Sequence, residues 1–121
     1  MSLRSNLVNE GEITIIALEG KMDFESQDIL RESILTLTKQ GRKVIVDMAG
    51  LSFVGSSGIT HFIRSLYEFQ ERGVAVPRLC NLKSEFRKII SAYDANQDFS
   101  IHNSRAEALD DFFRIGVQES H

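Results

Sequence analysis

The sequence predicts an α/β fold, a small mixed β-sheet packed with about four α-helices. Two strand patterns open the chain, and helix and strand patterns then alternate, which requires right-handed crossovers onto a partly parallel sheet. Residues 44–46 are apolar without alternation, as expected for a parallel strand that is covered on both faces. The 121 residues, 42% hydrophobic and 26% charged, are typical of one globular domain. We therefore expect a single domain over residues 1–121, with its core at about 7–113 and a frayed C-terminal tail.

The first elements are predicted from apolar spacing and from caps. Branched apolar residues dominate 12–18 and predict a strand, with which Leu7 and Val8 would pair as the first arm of a hairpin. Asp23 is a suitable N-cap for the first helix, in which apolar residues recur at helical spacing. Gly41 stands where a C-terminal glycine cap belongs. The strand at 44–46 follows that cap.

The second helix opens at a turn of small residues, Gly55-Ser56-Ser57-Gly58. The apolar residues after this turn recur at i, i+3, i+4, i+7 and i+10, which predicts a buried stripe on one helix face. These residues are Ile59, Phe62, Ile63, Leu66 and Phe69. Gly73 is expected to close the helix.

Two further strands and two further helices complete the expected order. The strand over 74–82 contains Pro77, which cannot donate to a ladder and so belongs at an edge, a strand start or a bulge. A third helix, a short strand over 99–102 and a last helix follow. Ser104 and Glu107 have the spacing of a capping box at the start of that last helix.

Charge and composition argue against several classes of partner. The net charge is −3 and the pI is near 5.6, so nucleic acid is not an expected partner. No apolar run approaches the roughly 20 residues that cross a bilayer, so direct membrane insertion is not expected. The single cysteine, Cys80, fits the reducing cytoplasm, where we expect the protein to reside. A modest basic group is expected to be a solvated face: Arg78, Lys83, Arg87 and Lys88.

Residues suited to catalysis are few, and we expect a protein that is not an enzyme and that has no cofactor or metal. Three histidines are present, and no second His or Cys stands at metal spacing near His61, which we expect to be exposed. Gly55-x-Ser57-Gly58 is similar to part of a nucleophile elbow, but Ile59 stands where that motif needs its last glycine. Cys80 lies among apolar neighbours and is expected to be a small core residue.

The segment from Asp47 to Ile59 stands out, because a strand end leads through a short excursion to the serine turn that opens a helix. Asp47 is expected to be a turn residue that ends its strand. Ser56 or Ser57 can cap the free N–H groups of the helix, which is the simpler interpretation. A helix N-terminus also favours a phosphate, by about 0.3–1 kcal/mol at an exposed site. A phosphoryl group on Ser56 would add a charge of about −1.5 to −2 and act mainly on whatever docks over the turn.

Two short motifs stand in register with the expected elements. They are Gly20-Lys21-Met22-Asp23, between the early strand and the first helix, and Asp47-Met48 leading to Ser56-Ser57-Gly58. Both resemble signatures of STAS-domain proteins and, more narrowly, of anti-sigma factor antagonists, and the element order from Leu7 to Phe113 matches that family. One position departs from the pattern, since Gly55 replaces the family's acidic residue before the serine. This change removes a carboxylate and loosens the turn.

The resemblance implies a bacterial regulator of transcription that acts in signal transduction by binding another protein. In such antagonists the unmodified module binds an anti-sigma factor that is also a serine kinase, and a sigma factor is released. The kinase phosphorylates the first serine of the motif, which matches Ser56, and a phosphatase restores the unmodified form. Asp23 would lie beside the turn and shape the docking surface. The other candidates for partner binding are Met22, Gly55, Ser57, Gly58, Thr60, His61, Arg64 and Tyr67.

Two further functions stay open at this point. One is a non-phosphorylated STAS subunit of a transport or signalling complex. Gly55 favours this function because the family's acidic residue is missing at that position. The other is nucleotide binding, which is reported for some members of the family, although the chain has no Walker-type loop. The sequence does not determine whether the module forms a homodimer.

Overall fold

Strands and helices alternate in the order that the sequence predicts. The computed structural model describes residues 3–54, 56–93 and 99–119, without the side chains of 24, 53, 54, 56, 57 and 114–119. The elements in this part of the chain are β1 (Arg4–Glu10), β2 (Ile13–Met22), α1 (Phe24–Lys39), β3 (Lys43–Val54), α2 (Ser56–Glu71), β4 (Arg78–Cys80), α3 (Ser84–Tyr93), β5 (Ile101–His102) and α4 (Arg105–Glu119). The expected α/β fold, a mixed sheet with four helices, is confirmed.

All the described strands form one sheet, in which the spatial order is the chain order β1-β2-β3-β4-β5. β1 and β2 are antiparallel, whereas each later strand runs parallel to its neighbour. The antiparallel pair is a hairpin with a two-residue turn at Gly11 and Glu12, where Gly11 has a φ of +59°. Arg42 ties this turn to β3, since its guanidinium donates to the Thr14 hydroxyl at 2.6 Å and to the Ile13 carbonyl at 2.9 Å.

Alternate residues of the central strands fill two cores on opposite faces of the sheet. The larger core contains residues such as Ile16 and Val46, and side chains of α1, α2 and α3 pack into it. The smaller core consists of Ile13, Ile15, Ile45, Cys80 and Ala108, and Ala108 comes from α4. The predicted stripe of α2 is confirmed, because each of its five residues is at most 2% exposed. Cys80 is a buried core residue, as expected.

β3 is longer than the sequence predicts, and Asp47 lies inside it instead of ending it. The reason is that β2 also continues, as far as Met22, so that the two strands stay paired up to Val54. The pairing shifts register twice along this stretch. At Gly50 an added Cβ would collide with the Leu18 carbonyl oxygen, so the close approach of the two strands requires glycine there.

β4 and β5 are shorter than expected. The strand predicted over 74–82 is limited to β4, which pairs with β3 at three positions. Pro77 directly precedes β4 and therefore stands at a strand start, one of the three places that its missing N–H allows. β5 has two residues, each paired with β4. The apolar pattern over 74–82 therefore overstates the length of the strand, because only three of these residues pair with β3.

α4 begins after Ser104, as the sequence predicts, but only half of the expected capping box is present. The Ser104 hydroxyl accepts from the Glu107 N–H at 3.2 Å, as in a capping box, but the Glu107 carboxylate accepts from the Asn103 N–H at 2.8 Å instead of from Ser104. The helix continues to Glu119, and fraying of the tail from Ile115 stays a prediction.

None of the helices in the described ranges is both long enough and apolar enough to cross a membrane.

Candidate functional site

The carboxyl ends of β2 and β3 lie side by side, where Met22 pairs with Val54. α1 begins at Phe24 and α2 begins at Ser56, directly after these two strand ends. Two helix N-termini therefore open at the same edge of the sheet. The first N–H groups of a helix have no partners within the helix, so this edge carries partial positive charge from the backbone.

Gly58 joins the two helix starts. It is buried in the first turn of α2, and a Cβ there would lie 3.0 Å from the Met22 carbonyl oxygen and 3.2 Å from Asp23 Cα. These neighbours are backbone atoms, which cannot swing away as the end of a flexible side chain can. The first turn of α2 therefore rests directly on the Met22–Asp23 backbone, and Asp23 lies beside the turn that contains Ser56.

Asp23 is exposed, and its carboxylate has a fixed orientation because it caps α1. Its Oδ1 accepts from the backbone N–H and from the hydroxyl of Ser26, both at 2.8 Å. The Asp23 N–H donates back to the Ser26 hydroxyl at 2.9 Å, which completes a capping box. The hydrogen bonds from Ser26 hold the pKa of Asp23 below its usual range. The predicted cap is confirmed, and the surface next to α2 carries a negative charge at neutral pH.

Met22 is placed in the core and not on the surface where the sequence suggested a partner contact. Its side chain is fully buried and belongs to the larger core. The physical reason is its position at the end of β2, where alternation directs the side chain under α1 and α2. Met22 contributes to the site through its backbone, which supports Gly58.

The outward candidates on α2 differ in how much surface they offer. Arg64 is exposed, whereas Thr60 and His61 are half-buried. The expectation that His61 is an exposed residue is therefore wrong, and the cause is its place at the flank of the buried stripe beside Phe62. Thr60 and His61 both take part in interactions within the protein. Of these three residues, Arg64 presents the most accessible side chain for a partner.

Tyr67 is engaged within the protein. Its hydroxyl donates to the Tyr93 carbonyl at 2.6 Å, and its ring centroid lies 4.8 Å from that of Phe99. The side chain is half-buried and packs against the larger core. Tyr67 thus fixes α2 to the end of α3, so the surface that it offers is smaller than the sequence suggested.

Three sequence-predicted candidates lie partly or wholly outside the described residues. Gly55 is not described, and for Ser56 and Ser57 only the backbone position in α2 is given. Ser56 is the first residue of that helix, which begins within the turn that the sequence predicts to open it. The roles assigned to these residues stay predictions.

Asp47 is a structural anchor that sequence reasoning placed at a turn. Its carboxylate accepts from the Ala49 N–H and the Asn81 amide, each at 3.0 Å, and from Arg105 Nε at 2.5 Å. Burial by itself would raise the pKa of Asp47, but the hydrogen bonds from Arg105, Ala49 and Asn81 and the Arg105 charge outweigh burial and lower it. The ionised carboxylate therefore ties β3 to the loop after β4 and to the start of α4.

The basic group predicted to be a solvated face is partly engaged in tertiary contacts. Arg78 Nε donates to Asp111 at 2.6 Å, and the guanidinium carbon lies 3.9 Å from the centroid of the Phe112 ring, because α4 packs over β4. Lys83 is exposed, yet its Nζ donates to the Leu51 carbonyl at 2.5 Å. Sequence reasoning missed this contact, which holds the β3 segment that leads to the serine turn. No local signal identifies it, because it joins residues far apart in the chain.

The chemistry offered at this edge suits recognition by another protein. The described residues contribute one oriented carboxylate and the N-terminal ends of two helices at this edge, and Arg64 adds an exposed guanidinium two turns further along α2. Among these residues there is no group of three or more His, Cys, Asp or Glu side chains that could hold a metal ion.

Comparison with known proteins places the chain in a family. The family model of the STAS domain matches residues 4–108. No curated protein matches the sequence. The resemblance to STAS-domain proteins, drawn from the two motifs, is confirmed by a family-model match that covers most of the chain.

Solved structures with a similar fold include regulators and part of a transporter. An anti-sigma factor antagonist from Mycobacterium paratuberculosis is 14% identical, with a TM-score of 0.72 over 89% of this chain and 92% of that one. The Bacillus cell fate determinant SpoIIAA in its phosphorylated form is 23% identical, with a TM-score of 0.65 over 90% and 99%. The murine solute carrier 26 family member A9, an anion transporter, is 21% identical, with a TM-score of 0.61 over 84% of this chain and 18% of the transporter. At these identities the likeness shows the fold, and the family model, which matches residues 4–108, shows that this chain belongs to the STAS domain family.

Proposed function

We propose that this protein is a regulatory protein-binding module, an anti-sigma factor antagonist that sequesters an anti-sigma factor with serine kinase activity. In this proposal, phosphorylation of Ser56 ends the interaction and a phosphatase restores it. The observation that carries the proposal is the packing of Gly58 on the Met22–Asp23 backbone, which brings the start of α2 and Asp23 to one surface. The likeness in fold to anti-sigma factor antagonists supports it.

Phosphorylation would act on the partner more than on the fold. A phosphate on Ser56 adds about −1.5 to −2 of charge, and a helix N-terminus accommodates such a charge through its free N–H groups. The same surface already holds the ionised carboxylate of Asp23. A partner that covers this surface would have to bury two negative groups close together, which is costly unless it pairs both of them.

The candidate residues divide into contacts and supports. Asp23 and Arg64 are exposed and are proposed to contact the partner directly. Gly58 and Met22 support the turn from within, and Tyr67 fixes α2 to α3. Gly55 and Ser57 are proposed as contacts next to Ser56, and Thr60 and His61 as contacts with smaller accessible area.

The proposed module acts in the cytoplasm, requires no cofactor and is not an enzyme. Its work is binding, and the covalent step is performed on it by the kinase and reversed by the phosphatase. A net charge of −3 is consistent with a protein partner in place of nucleic acid.

The experiment recovers the protein from its own cells and maps phosphate by mass spectrometry, beside Ser56→Ala and Ser57→Ala variants. We expect phosphate on Ser56 in the wild type and in Ser57→Ala, and none at position 56 in Ser56→Ala. Affinity capture from the same cells tests binding. Wild-type protein should retain an anti-sigma factor that transfers phosphate from ATP to Ser56, and Ser56→Glu should lose it.

Two results would contradict the proposal. The first is a Ser56 that carries no phosphate under any growth condition. The second is a Ser56→Glu variant that retains its partner as well as the wild type does, since the added negative charge would then not act at the docking surface. Ser57→Ala is the matched control, because it removes a neighbouring hydroxyl and leaves Ser56 in place.

The second candidate function is a STAS subunit of a transport complex that is not phosphorylated. The fold also occurs within a long anion transporter, of which the matched region is 18%. Gly55 also supports this second function, because it stands where the family has an acidic residue before the phosphorylated serine. Capture of membrane-transport subunits by wild type and by Ser56→Glu alike would favour this function over the switch.

A further inference from the structure

β1 presents an open edge of the sheet. It is the outermost of the described strands and lies next to β2, and all seven of its residues are exposed. Leu7 is 57% exposed, Val8 is 38% exposed, and Ile29 on the neighbouring α1 is 70% exposed. An edge strand with unpaired N–H and C=O groups and apolar side chains is a template for pairing with another strand.

The hydrogen bonds of β2 determine which backbone groups of β1 are free. The Lys43 N–H donates to the Glu12 carbonyl at 2.9 Å, so Glu12 faces β3 and the next residue, Ile13, faces β1. Ile13 is the partner of Glu10 in the hairpin. Because the direction alternates along a strand, the N–H and C=O groups that point away from the sheet belong to Ser5, Leu7 and Asn9.

We propose that β1 pairs with β1 of a second copy of this chain, antiparallel about a two-fold axis at Leu7. In this register Leu7 faces Leu7 of the other copy, and Ser5 faces Asn9. All three residues have outward backbone groups, so each facing pair exchanges both of its N–H···O bonds. The two five-stranded sheets would then form one continuous sheet, in an interface of the isologous type.

Charge complementarity favours a second copy as the partner in this register. Pairing centred on Leu7 sets Arg4 opposite Glu10 of the other copy, once at each end of the shared ladder. These are non-hydrogen-bonded pairs, in which facing side chains approach closest. Arg4 has a side chain that is 79% exposed, and its contact with Glu19 is 3.7 Å long, so it is accessible to a new carboxylate. A register with its axis at Asn6 would set Arg4 opposite Val8 and remove both ion pairs. A register with its axis at Val8 would set Arg4 opposite Glu12, which lies in the turn beyond β1.

Apolar surface at the same edge adds to the interface. The Leu7 side chains of the two copies would lie side by side on the face that α1 covers. A groove of about 410 Å³ there is lined by apolar residues, by two hydroxyl residues and by two acidic residues of α1: Leu7, Ile29, Leu37, Ser33, Thr36, Asp28 and Glu32. Pairing would remove the exposed parts of Leu7 and Ile29 from water. The interface does not use Ser56, Asp23 or α2, so it is independent of the proposed function.

Sedimentation velocity of the full chain over a range of concentrations tests the dimer. We expect the wild type to change from monomer to dimer with concentration, and Leu7→Lys to stay a monomer because it places two ammonium groups together at the axis. Phe113→Lys is the matched control, since Phe113 is 64% exposed on α4 and lies outside this edge. It should dimerise as the wild type does. Far-UV circular dichroism checks that each variant is folded.

A disulfide test distinguishes this register from other contacts. Only residue 7 faces itself, so Leu7→Cys should form a covalent dimer under mild oxidation, whereas Ser5→Cys alone should not. A mixture of Ser5→Cys and Asn9→Cys should cross-link. Cys80 does not compete, because it is fully buried.

Charge exchange completes the test. Arg4→Glu sets like charges together at both ends and should raise the dimer dissociation constant about tenfold, and the double variant Arg4→Glu with Glu10→Arg should restore it. A wild type that stays monomeric at every concentration would overturn the proposal. So would a dimer that survives Leu7→Lys, or one in which Ser5→Cys cross-links as readily as Leu7→Cys.

Discussion

Gly58→Ala tests whether the first turn of α2 rests on the Met22–Asp23 backbone. The added methyl group would lie 3.0 Å from the Met22 carbonyl oxygen and 3.1 Å from the Asp23 carbonyl carbon. Overpacking of this kind costs about 1–3 kcal/mol. Alanine would recover at most about 1 kcal/mol of helix propensity, and less near a helix end. We expect Gly58→Ala to lower the free energy of unfolding by about 1–2 kcal/mol.

The assay is urea unfolding followed by far-UV circular dichroism, on the wild type, Gly58→Ala and Gly58→Val. The larger valine should lose more stability than alanine, because its extra methyl groups meet the same backbone atoms. Arg64→Ala is the control, since Arg64 is exposed on the same helix, and it should stay within about 0.5 kcal/mol of the wild type.

Two results would refute this reasoning. A Gly58→Ala variant as stable as the wild type, or more stable, would mean that helix propensity outweighs the contact and that the turn has room for a side chain. A loss that does not grow from alanine to valine would mean that the cause is not steric. Either result would also weaken the proposed function, because the same contact brings Asp23 and the serine turn together.

Three other predictions concern the scaffold. Asp47→Asn should lower the free energy of unfolding at pH 7 by about 1–2 kcal/mol, since it weakens a buried contact with Arg105. Folding lowers the pKa of Asp47 from its usual 3.8, so the loss in free energy of unfolding should be complete above pH 3.8 and should shrink as the pH falls through the folded-state pKa. A loss that stays constant down to pH 2 in urea titrations would contradict this. Burial raises the pKa of Cys80 to about 12, so an aromatic disulfide reagent at pH 8 should label the thiol only when the protein unfolds. Equal labelling rates with and without urea would contradict this. Arg42→Ala should lower the free energy of unfolding by about 1–3 kcal/mol, because the hydroxyl of the fully buried Thr14 loses the hydrogen bond of 2.6 Å that Arg42 donates to it. A variant as stable as the wild type in thermal or urea unfolding would contradict this role of Arg42.

Local patterns account for most of the secondary structure. The apolar spacing of α2, the Asp23 cap and the continuous apolar strand near Val46 act over a few residues, so they can be recognised without the fold. The prediction fails where strand length depends on a neighbour. β3 extends to Val54 because β2 continues beside it. The 74–82 segment, by contrast, pairs with β3 at three positions, so its strand is short.

The sequence predicted the neighbourhood of Asp23 and the serine turn, but it did not predict how exposed the other described candidates are. Asp23 lies beside the serine turn as the motif suggests, whereas Met22 is buried and Tyr67 is bound to the Tyr93 carbonyl. Exposure depends on which helices cover a strand end, and that follows from packing. The contact of Lys83 with the Leu51 carbonyl was missed for the same reason, since it links two segments that only the sheet brings together.

By itself, the sequence determined the α/β class, the order of the elements and the family resemblance, because each of these depends on residue type and short spacing. The choice of Ser56, which that resemblance implies, stays a prediction. The tertiary structure alone decided that Gly58 rests on the Met22–Asp23 backbone, that Asp47 is held by Arg105, and that β1 is an open edge. These features join residues far apart in the chain, or depend on which of the described strands has no outer neighbour among them. Such contacts are set by sheet order and register, which local propensity does not encode.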